Sequence, residues 1–562
     1  MFQSVLREQA EKVPDVYVSI VKVQANLIYM MSYTQPNGNT DEPLRGERIA
    51  VVGAGFGGLS AASYLTDAGA DVTVFERNEH PGGYAGRIER DGFRIDTGPS
   101  WYLMPEVFDR FFQHFGREVE EFYELTELEP LYEIYWKDGD HAEIPSTRQG
   151  QKQLFESYES GAGSKLDDYL SDAAEAYELG MDRFVYPSRS RLRDMMDLDI
   201  IRSVRALPKL RTMDTYVKSY FTHPKLRQIA EYKLVFLGGS PYNTPAIYTL
   251  MSHVDMNLGV YHPTGGIASV IDGMVTLATD LGVTIHTDTP VTSIEPLSRA
   301  DETRQQFDIT TGKGPDRNTA ETDGGRFDRV VANAAPTHVE RDLLPEEYAN
   351  REAYWNSRTY APSAYLLYLG VNGEVDGLEH HSLILPNDWQ PHFDRIFDEA
   401  GWPDDPAYYV HVPSKTDDTV APDGHEAVVI LVPLAPGLED DTETLEQFRK
   451  LVLDDLAETT GVEFRDRIVL EESACVSTFA DRFNAPEGTA LALSHTLGQT
   501  GPLRPAHRAP GVDGLYYVGA YTNPGIGMPM CLLSGEHVTN AIIEDTRKTG
   551  LLPPVVPTST FR

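Results

Sequence analysis

Residues 49–58 read Ile-Ala-Val-Val-Gly-Ala-Gly-Phe-Gly-Gly, an apolar run that breaks abruptly into glycines. The run suits a strand buried on both faces, and Leu59 to Leu65 suits the helix after it. Gly53, Gly55 and Gly58 hold the G-x-G-x-x-G spacing, with Gly57 inside the same turn. Gly53 permits the tight turn, Gly55 lets backbone approach a pyrophosphate, and Gly58 lets helix and strand pack closely. The anion is expected on the helix N-terminus, where N–H groups and the helix dipole favour negative charge. Asp71-Val-Thr-Val-Phe-Glu76 reads as the next strand. It ends 23 positions after Gly53 in a carboxylate suited to ribose hydroxyls. Strand, glycine turn, helix, strand and acid in this order predict a dinucleotide-binding unit of a Rossmann-like α/β fold.

The stretch after Glu76 narrows the dinucleotide. It runs Arg77-Asn-Glu-His-Pro-Gly-Gly-Tyr-Ala-Gly-Arg87, then Gly92-Phe-Arg-Ile-Asp-Thr-Gly-Pro-Ser-Trp101. An NAD domain needs no such continuation. The segment resembles the E-R-x-x-x-x-G-G-x-x-x-[R/S] stretch of glutathione-reductase-like flavoproteins, which implies FAD. Gly82, Gly83 and Gly98 can let backbone lie against phosphates and flavin, and Arg77 belongs to the same motif. Arg87 can reach the pyrophosphate as a charged fork. The alternative for Arg87 is a surface ion pair with Glu89 or Asp91.

At 562 residues the chain is long enough for two to four domains. Its 86 acidic residues against 48 basic ones leave a net charge of −38. A disordered acidic chain would lack the aliphatic and aromatic residues abundant here. The charge instead fits a folded enzyme adapted to molar salt, where a Debye length of about 3 Å screens self-repulsion. No basic face offers itself to a nucleic acid. Cys475 and Cys531 are too few for a disulfide framework, which fits a reducing cytoplasm. The 16 histidines are scattered and read as core or surface residues, so no metal site is expected. No uncharged apolar stretch reaches the length of a membrane-spanning helix.

The flavin-binding segments are dispersed, so the FAD domain is expected to be discontinuous. Its parts are residues 46–130, 256–336 and 469–548. The second contains Gly259-Val-Tyr-His-Pro-Thr-Gly-Gly-Ile267, a helix to Leu281, and a strand opening at Val291 that is expected to lay backbone beside the adenine. It ends in a buried strand, Phe327-Asp-Arg-Val-Val-Ala-Asn-Ala-Ala-Pro336, leading the chain out of the domain. Two insertions, 131–255 and 337–468, form an α+β substrate domain with a membrane-contact role. Residues 1–45 and 549–562 lie outside this plan as an N-terminal extension and a tail.

Near the end, Gly514-Leu-Tyr-Tyr-Val-Gly-Ala-Tyr-Thr-Asn-Pro-Gly-Ile-Gly-Met-Pro-Met530 precedes a helical stretch. Gly519 is expected where only backbone fits beside the ribityl chain. Gly527 and Met528 open a helix whose N-terminus would stabilise negative charge on a reduced flavin. Together with residues 51–101, 259–266 and 493–505, this segment resembles the bacterial-type (CrtI-like) phytoene desaturase family over about residues 46–548. The resemblance implies an FAD-dependent oxidoreductase that inserts C=C bonds into a carotenoid or other long isoprenoid. With the acidity, it resembles haloarchaeal enzymes leading to C50 bacterioruberin-type pigments. Family members often carry histidine and glycine where this chain has Asn523 and Met530, which leaves the substrate and the step open between phytoene and later 3,4-desaturation.

Such a substrate cannot cross water, so a cytoplasmic protein bound peripherally to a membrane is expected, with contact around Leu234 to Tyr248. Oxygen or a quinone would reoxidise the flavin. Trp101, Tyr102 and Tyr521 lie on segments expected near it, but no catalytic residue or acid–base pair stands out. An amine-oxidase- or saturase-type flavoenzyme and a non-enzymatic isoprenoid carrier are the alternatives. Residues 1–29 balance their charges, unlike the rest, and Met30 and Met31 follow them. Translation is expected to start at Met30 or Met31 rather than in an amphipathic N-terminal helix. N-terminal sequencing of native protein should therefore begin there, and a sequence beginning at Phe2 would refute it.

Overall fold

The computed structural model describes residues 42–187, 211–297, 305–313, 322–348 and 351–548. The proposed start at Met30 or Met31 and the C-terminal tail lie outside them. Every element below belongs to the unit that begins at Pro43.

The apolar run forms the strand Arg48–Val52, at the centre of a five-stranded sheet. Its neighbours are Asp71–Phe75 on one side and Arg329–Ala332 on the other. Thr284–His286 and Leu515–Tyr517 complete the edges, and every pairing is parallel. Parallel strands must be covered on both faces, which is why Ile49, Val51, Val74, Val330 and Val331 are all buried. Helices Phe56–Asp67, Ile267–Leu281 and Met528–Lys548 share one of the resulting cores. The first and last of these pack closely. Ser60 Oγ donates to Leu532 O at 2.7 Å, and a Cβ at Gly535 would sit 2.3 Å from Ser60 Oγ. The fold is a Rossmann-like α/β domain assembled from distant parts of the chain.

A seven-stranded mixed sheet forms the second layer of structure, in the order Ile468–Ala474, Ser363–Asn372, His425–Leu434, Tyr408–His411, His381–Leu385, Tyr132–Trp136, His141–Ile144. Both expected insertions contribute strands to it. The pairing of His381–Leu385 with Tyr132–Trp136 is parallel and joins them. Ile468–Ala474 pairs with Ser363–Asn372, so this sheet extends past the boundary set at residue 468. That strand alternates more and less exposed residues because it lies at the sheet's edge, half in solvent.

Helices Arg148–Tyr158, Ala162–Gly180 and Pro224–Glu231 pack beneath this sheet in an aromatic-rich core. Lys233 and Asp255 form a fully buried ion pair there at 3.1 Å. Tyr132 and Tyr232 donate to the same Asp255 oxygen at 3.1 and 3.3 Å, and Lys233 donates to Ile229 O. Removing one member of such a pair strands a buried charge. Lys233→Met is expected to cost about 3–5 kcal/mol in denaturant unfolding at molar salt, with Lys233→Met/Asp255→Leu recovering part of the loss.

Candidate functional site

One cavity of about 1260 Å³ runs from the carboxyl ends of the parallel strands to the seven-stranded sheet. That exceeds an ordinary small-molecule pocket and occurs where open α/β sheets bind ligands. Its wall at the sheet end is backbone. Gly53, Gly55 and Gly57 face Gly82 and Gly83 there. Gly53 adopts φ +98° to make the turn, and a Cβ at Gly58 would lie 2.0 Å from Gly53 O. Gly58 thus acts in helix–strand packing, as its position in the motif implies, and does not line the cavity. The helix Phe56–Asp67 starts at Gly55 with no cap from that residue's own side chain and no acid in its first turn.

Glu76 is buried and lines the cavity. Its Oε2 accepts from Ala54 N at 2.8 Å, and its Oε1 accepts from the backbone and side chain of Asn78. These bonds fix the carboxylate and leave lone pairs for a diol. Arg77, Val291, Gly98, Gly527 and Met528 also line the cavity. Gly519 does not. Its close approach is to the Asn333 amide, 2.5 Å from where a Cβ would be, and to Gly57. Sequence reasoning missed Asn333. Oriented to satisfy both donors, its amide oxygen accepts from Gly55 N and Gly58 N at 3.2 Å each. The asparagine that ends the strand 329–332 was the available signal.

Arg87 departs from expectation. Its guanidinium pairs with Asp272 at 2.7 Å and Glu89 at 2.9 Å, outside the cavity. Two carboxylates within reach outcompete a more distant anion, and one of them, on the helix 267–281, could not be foreseen from local sequence. Arg482 lines the cavity instead and, among the described residues, pairs with no carboxylate. A second cation lies behind the C-terminal loop. Buried Arg504 donates to the carbonyls of Leu493, Gln499, Ala520 and Thr522. Burial pulls its pKa down to about 10, so it stays charged at neutral pH.

Beyond the glycine cradle the walls become aromatic and aliphatic. Trp101 and Tyr521 line this part, whereas Tyr102 is core, hydrogen-bonded to Tyr123 at 3.0 Å. Tyr232, Val235, Leu237 and Tyr248 also line it, and Leu234 and Ala246 are buried. The stretch expected to touch a membrane is therefore a cavity wall. Its hydrophobicity serves the interior. Histidines far apart in sequence also converge: His262, His380 and His411 are buried with ligand-capable nitrogens within 4.8 Å of one another. They are buried and, contrary to the expectation of scattered histidines, close enough together to share one ion.

The residues present fit a flavin. The cradle would be filled by side chains at Gly55 or Gly57, where a Cβ would fall 2.8 Å from Asn333. Thr97 Oγ1, Tyr521 OH and Asn523 Nδ2 are buried polar atoms on the cavity wall with no hydrogen-bond partner. A heteroaromatic ring rich in donors and acceptors would satisfy them. Arg482→Met is expected to lower bound flavin per protein at least tenfold by absorbance, and Arg87→Met to leave it within twofold.

Residues 56–543 match the family described as flavin containing amine oxidoreductase. A carotenoid 3,4-desaturase from Haloarcula japonica is 54% identical over 89% of this chain and 99% of its own length. A zeta-carotene-forming phytoene desaturase from Myxococcus xanthus is 31% identical over 89% of this chain and 94% of its own. An oxidoreductase structure from Methanosarcina mazei shares the fold with a TM-score of 0.56 at 19% identity, covering 88% of this chain and 100% of that one. By the glycine cradle, the long cavity and these likenesses, the chain belongs to the flavin-containing amine oxidoreductase family, in the branch that holds the carotenoid desaturases.

Proposed function

We propose that this protein is an FAD-dependent carotenoid desaturase that forms a 3,4 double bond in a long isoprenoid on the way to C50 bacterioruberin-type pigments. The observation that carries the reading is the continuity of the cavity. A polar cradle for a dinucleotide opens, without a barrier, into a slot walled by side chains such as Met251, Trp389, Phe393 and Ile396. An amine substrate would want a carboxylate or carbonyl cage in that slot, and its walls are apolar. The relative sharing 54% identity favours the 3,4 position over phytoene.

The bound flavin supplies a two-electron acceptor for one substrate hydrogen with its bonding pair. The chain's part is to orient the polyene, exclude water and stabilise charge. Glu76, Arg77 and Val291 would hold the adenosine end, and Gly55, Gly57 and Arg482 the phosphates. The aromatic faces of Trp101 and Tyr521 offer electron density to positive charge developing on an allylic carbon. Arg504 and the N-terminus of the helix 528–548 place positive potential behind the loop 520–530, where a reduced, anionic ring would be stabilised.

No helix among the described residues is long and apolar enough to cross a membrane. Delivery of so apolar a substrate argues for peripheral membrane binding, with oxygen or a quinone taking the electrons. A deletion strain should lose its mature pigment and accumulate a coloured, 3,4-saturated precursor on chromatography. Colourless phytoene instead would move the step upstream, and an unchanged pigment profile would remove the desaturase reading.

A further inference from the structure

Behind the Trp101 wall of the slot, a thread of polar groups crosses an otherwise apolar region. We propose that Tyr409, His381, His411, His380 and Thr416 form a proton exit from the slot to solvent. The proposal rests on the desaturation reading above.

The links are short. Ser100 and Tyr409 line the cavity, with their hydroxyls 3.0 Å apart. Tyr409 OH lies 2.6 Å from His381 Nδ1. Trp101 stacks on His381 at 4.2 Å and 7°, fixing that ring. His411 Nε2 and His380 Nε2 are 3.2 Å apart, and His380 Nδ1 is 2.9 Å from Thr416 Oγ1. Thr416 is exposed.

One set of neutral tautomers satisfies every link in the same direction. Tyr409 donates to His381 Nδ1, which puts the ring hydrogen on Nε2. His411 donates from Nε2 to His380 Nε2, and His380 donates from Nδ1 to Thr416. This assignment leaves His381 Nε2–H as a donor and His411 Nδ1 as an acceptor. Those two atoms are buried without partners, on rings whose centroids are 5.2 Å apart. A small ring rotation or one bridging water closes that gap. Two orphans of complementary character at the one missing link are what an intermittently connected relay requires.

The chemistry suits a strong carbon acid. Desaturation breaks two adjacent C–H bonds. One bonding pair leaves with its hydrogen for the flavin. The other pair becomes the new π bond, and its proton bonds to the Tyr409 oxygen as the Tyr409 proton bonds to His381 Nδ1. Each imidazole then gains a proton on one nitrogen and releases one from the other, so a single proton reaches water at Thr416. Burial, with the neighbouring imidazoles, holds His380, His381 and His411 well below the usual histidine range, so each is neutral and able to accept. An anion stands by for the passing charge. His262, whose ring lies 4.7 Å from that of His380, hydrogen-bonds Asp417 Oδ2 at 2.9 Å. Burial would raise the Asp417 pKa, but bonds from His262, Thr419 and the Gly265 amide outweigh it and keep the carboxylate ionised. On this account Tyr409 is catalytic and the histidines act through it.

The test uses the full-length, flavin-loaded protein at molar salt. Anaerobic mixing with the carotenoid gives the rate of flavin bleaching. Tyr409→Phe should slow it about 100-fold. His381→Gln, which keeps a hydrogen bond to Tyr409 but cannot pass a proton as imidazole does, should slow it at least tenfold. Flavin content and substrate affinity should stay within twofold in both. Histidine-selective 15N NMR of the wild type should show neutral rings, protonated on Nε2 in His381 and His411 and on Nδ1 in His380. This readout stands if a variant misfolds. Full bleaching rate in Tyr409→Phe, the opposite tautomers, or one equivalent of metal bound across His262, His380 and His411 overturns the exit. A wild type that desaturates no carotenoid removes the reading beneath it, whereas an active wild type with an unimpaired Tyr409→Phe variant removes the exit alone.

Discussion

Three stretches of backbone that are far apart in sequence meet at the side-chain amide of Asn333. It bridges the amides of Gly55 and Gly58 and abuts Gly519. A larger residue on any of the three glycines would push the central strand, the C-terminal turn or the helix 56–67 out of register, because the intervening distances are already below van der Waals contact for an added carbon. The cradle at the head of the sheet therefore depends on a packing constraint as much as on the phosphate chemistry usually assigned to its glycines. Everything downstream, from the position of Glu76 to the loop 520–530 that Arg504 props from behind, is referenced to that junction.

Much of this was legible from residues 49–101 because the relevant physics is local. A buried parallel strand, a turn needing positive φ, a helix opening after glycine and a carboxylate at the next strand's end each leave a mark within a few residues. The same holds for the helices 267–281 and 528–548. What escaped depends on contacts between distant segments. Arg87 looked like a phosphate ligand until Asp272 came beside it. Arg482 and the histidine cluster carry no local pattern at all, and Asn333 shows only as an asparagine at the end of a strand. The stretch 234–248 shows another limit. Hydrophobicity reports that a segment avoids water, and it does so equally for a membrane face and for the wall of an internal slot.

The chain as a whole carries a net −38, whereas two of its buried cations are compensated in different ways. Lys233 is matched by Asp255, and Arg504 is solvated by backbone carbonyls instead of a counter-ion. A cation held that way keeps its full field, since no carboxylate cancels it, and it faces the part of the cavity where electrons would accumulate.

The final wall of the cradle is built by the last strand and helix, residues 515–548, which slot between segments made several hundred residues earlier. During synthesis on the ribosome the growing chain can form its central strands and its aromatic slot long before it can close around a coenzyme. Capture of the prosthetic group must then wait until that strand and helix have been made. Until it happens, a greasy cleft stands open, which would make coenzyme supply a determinant of yield as well as of catalysis.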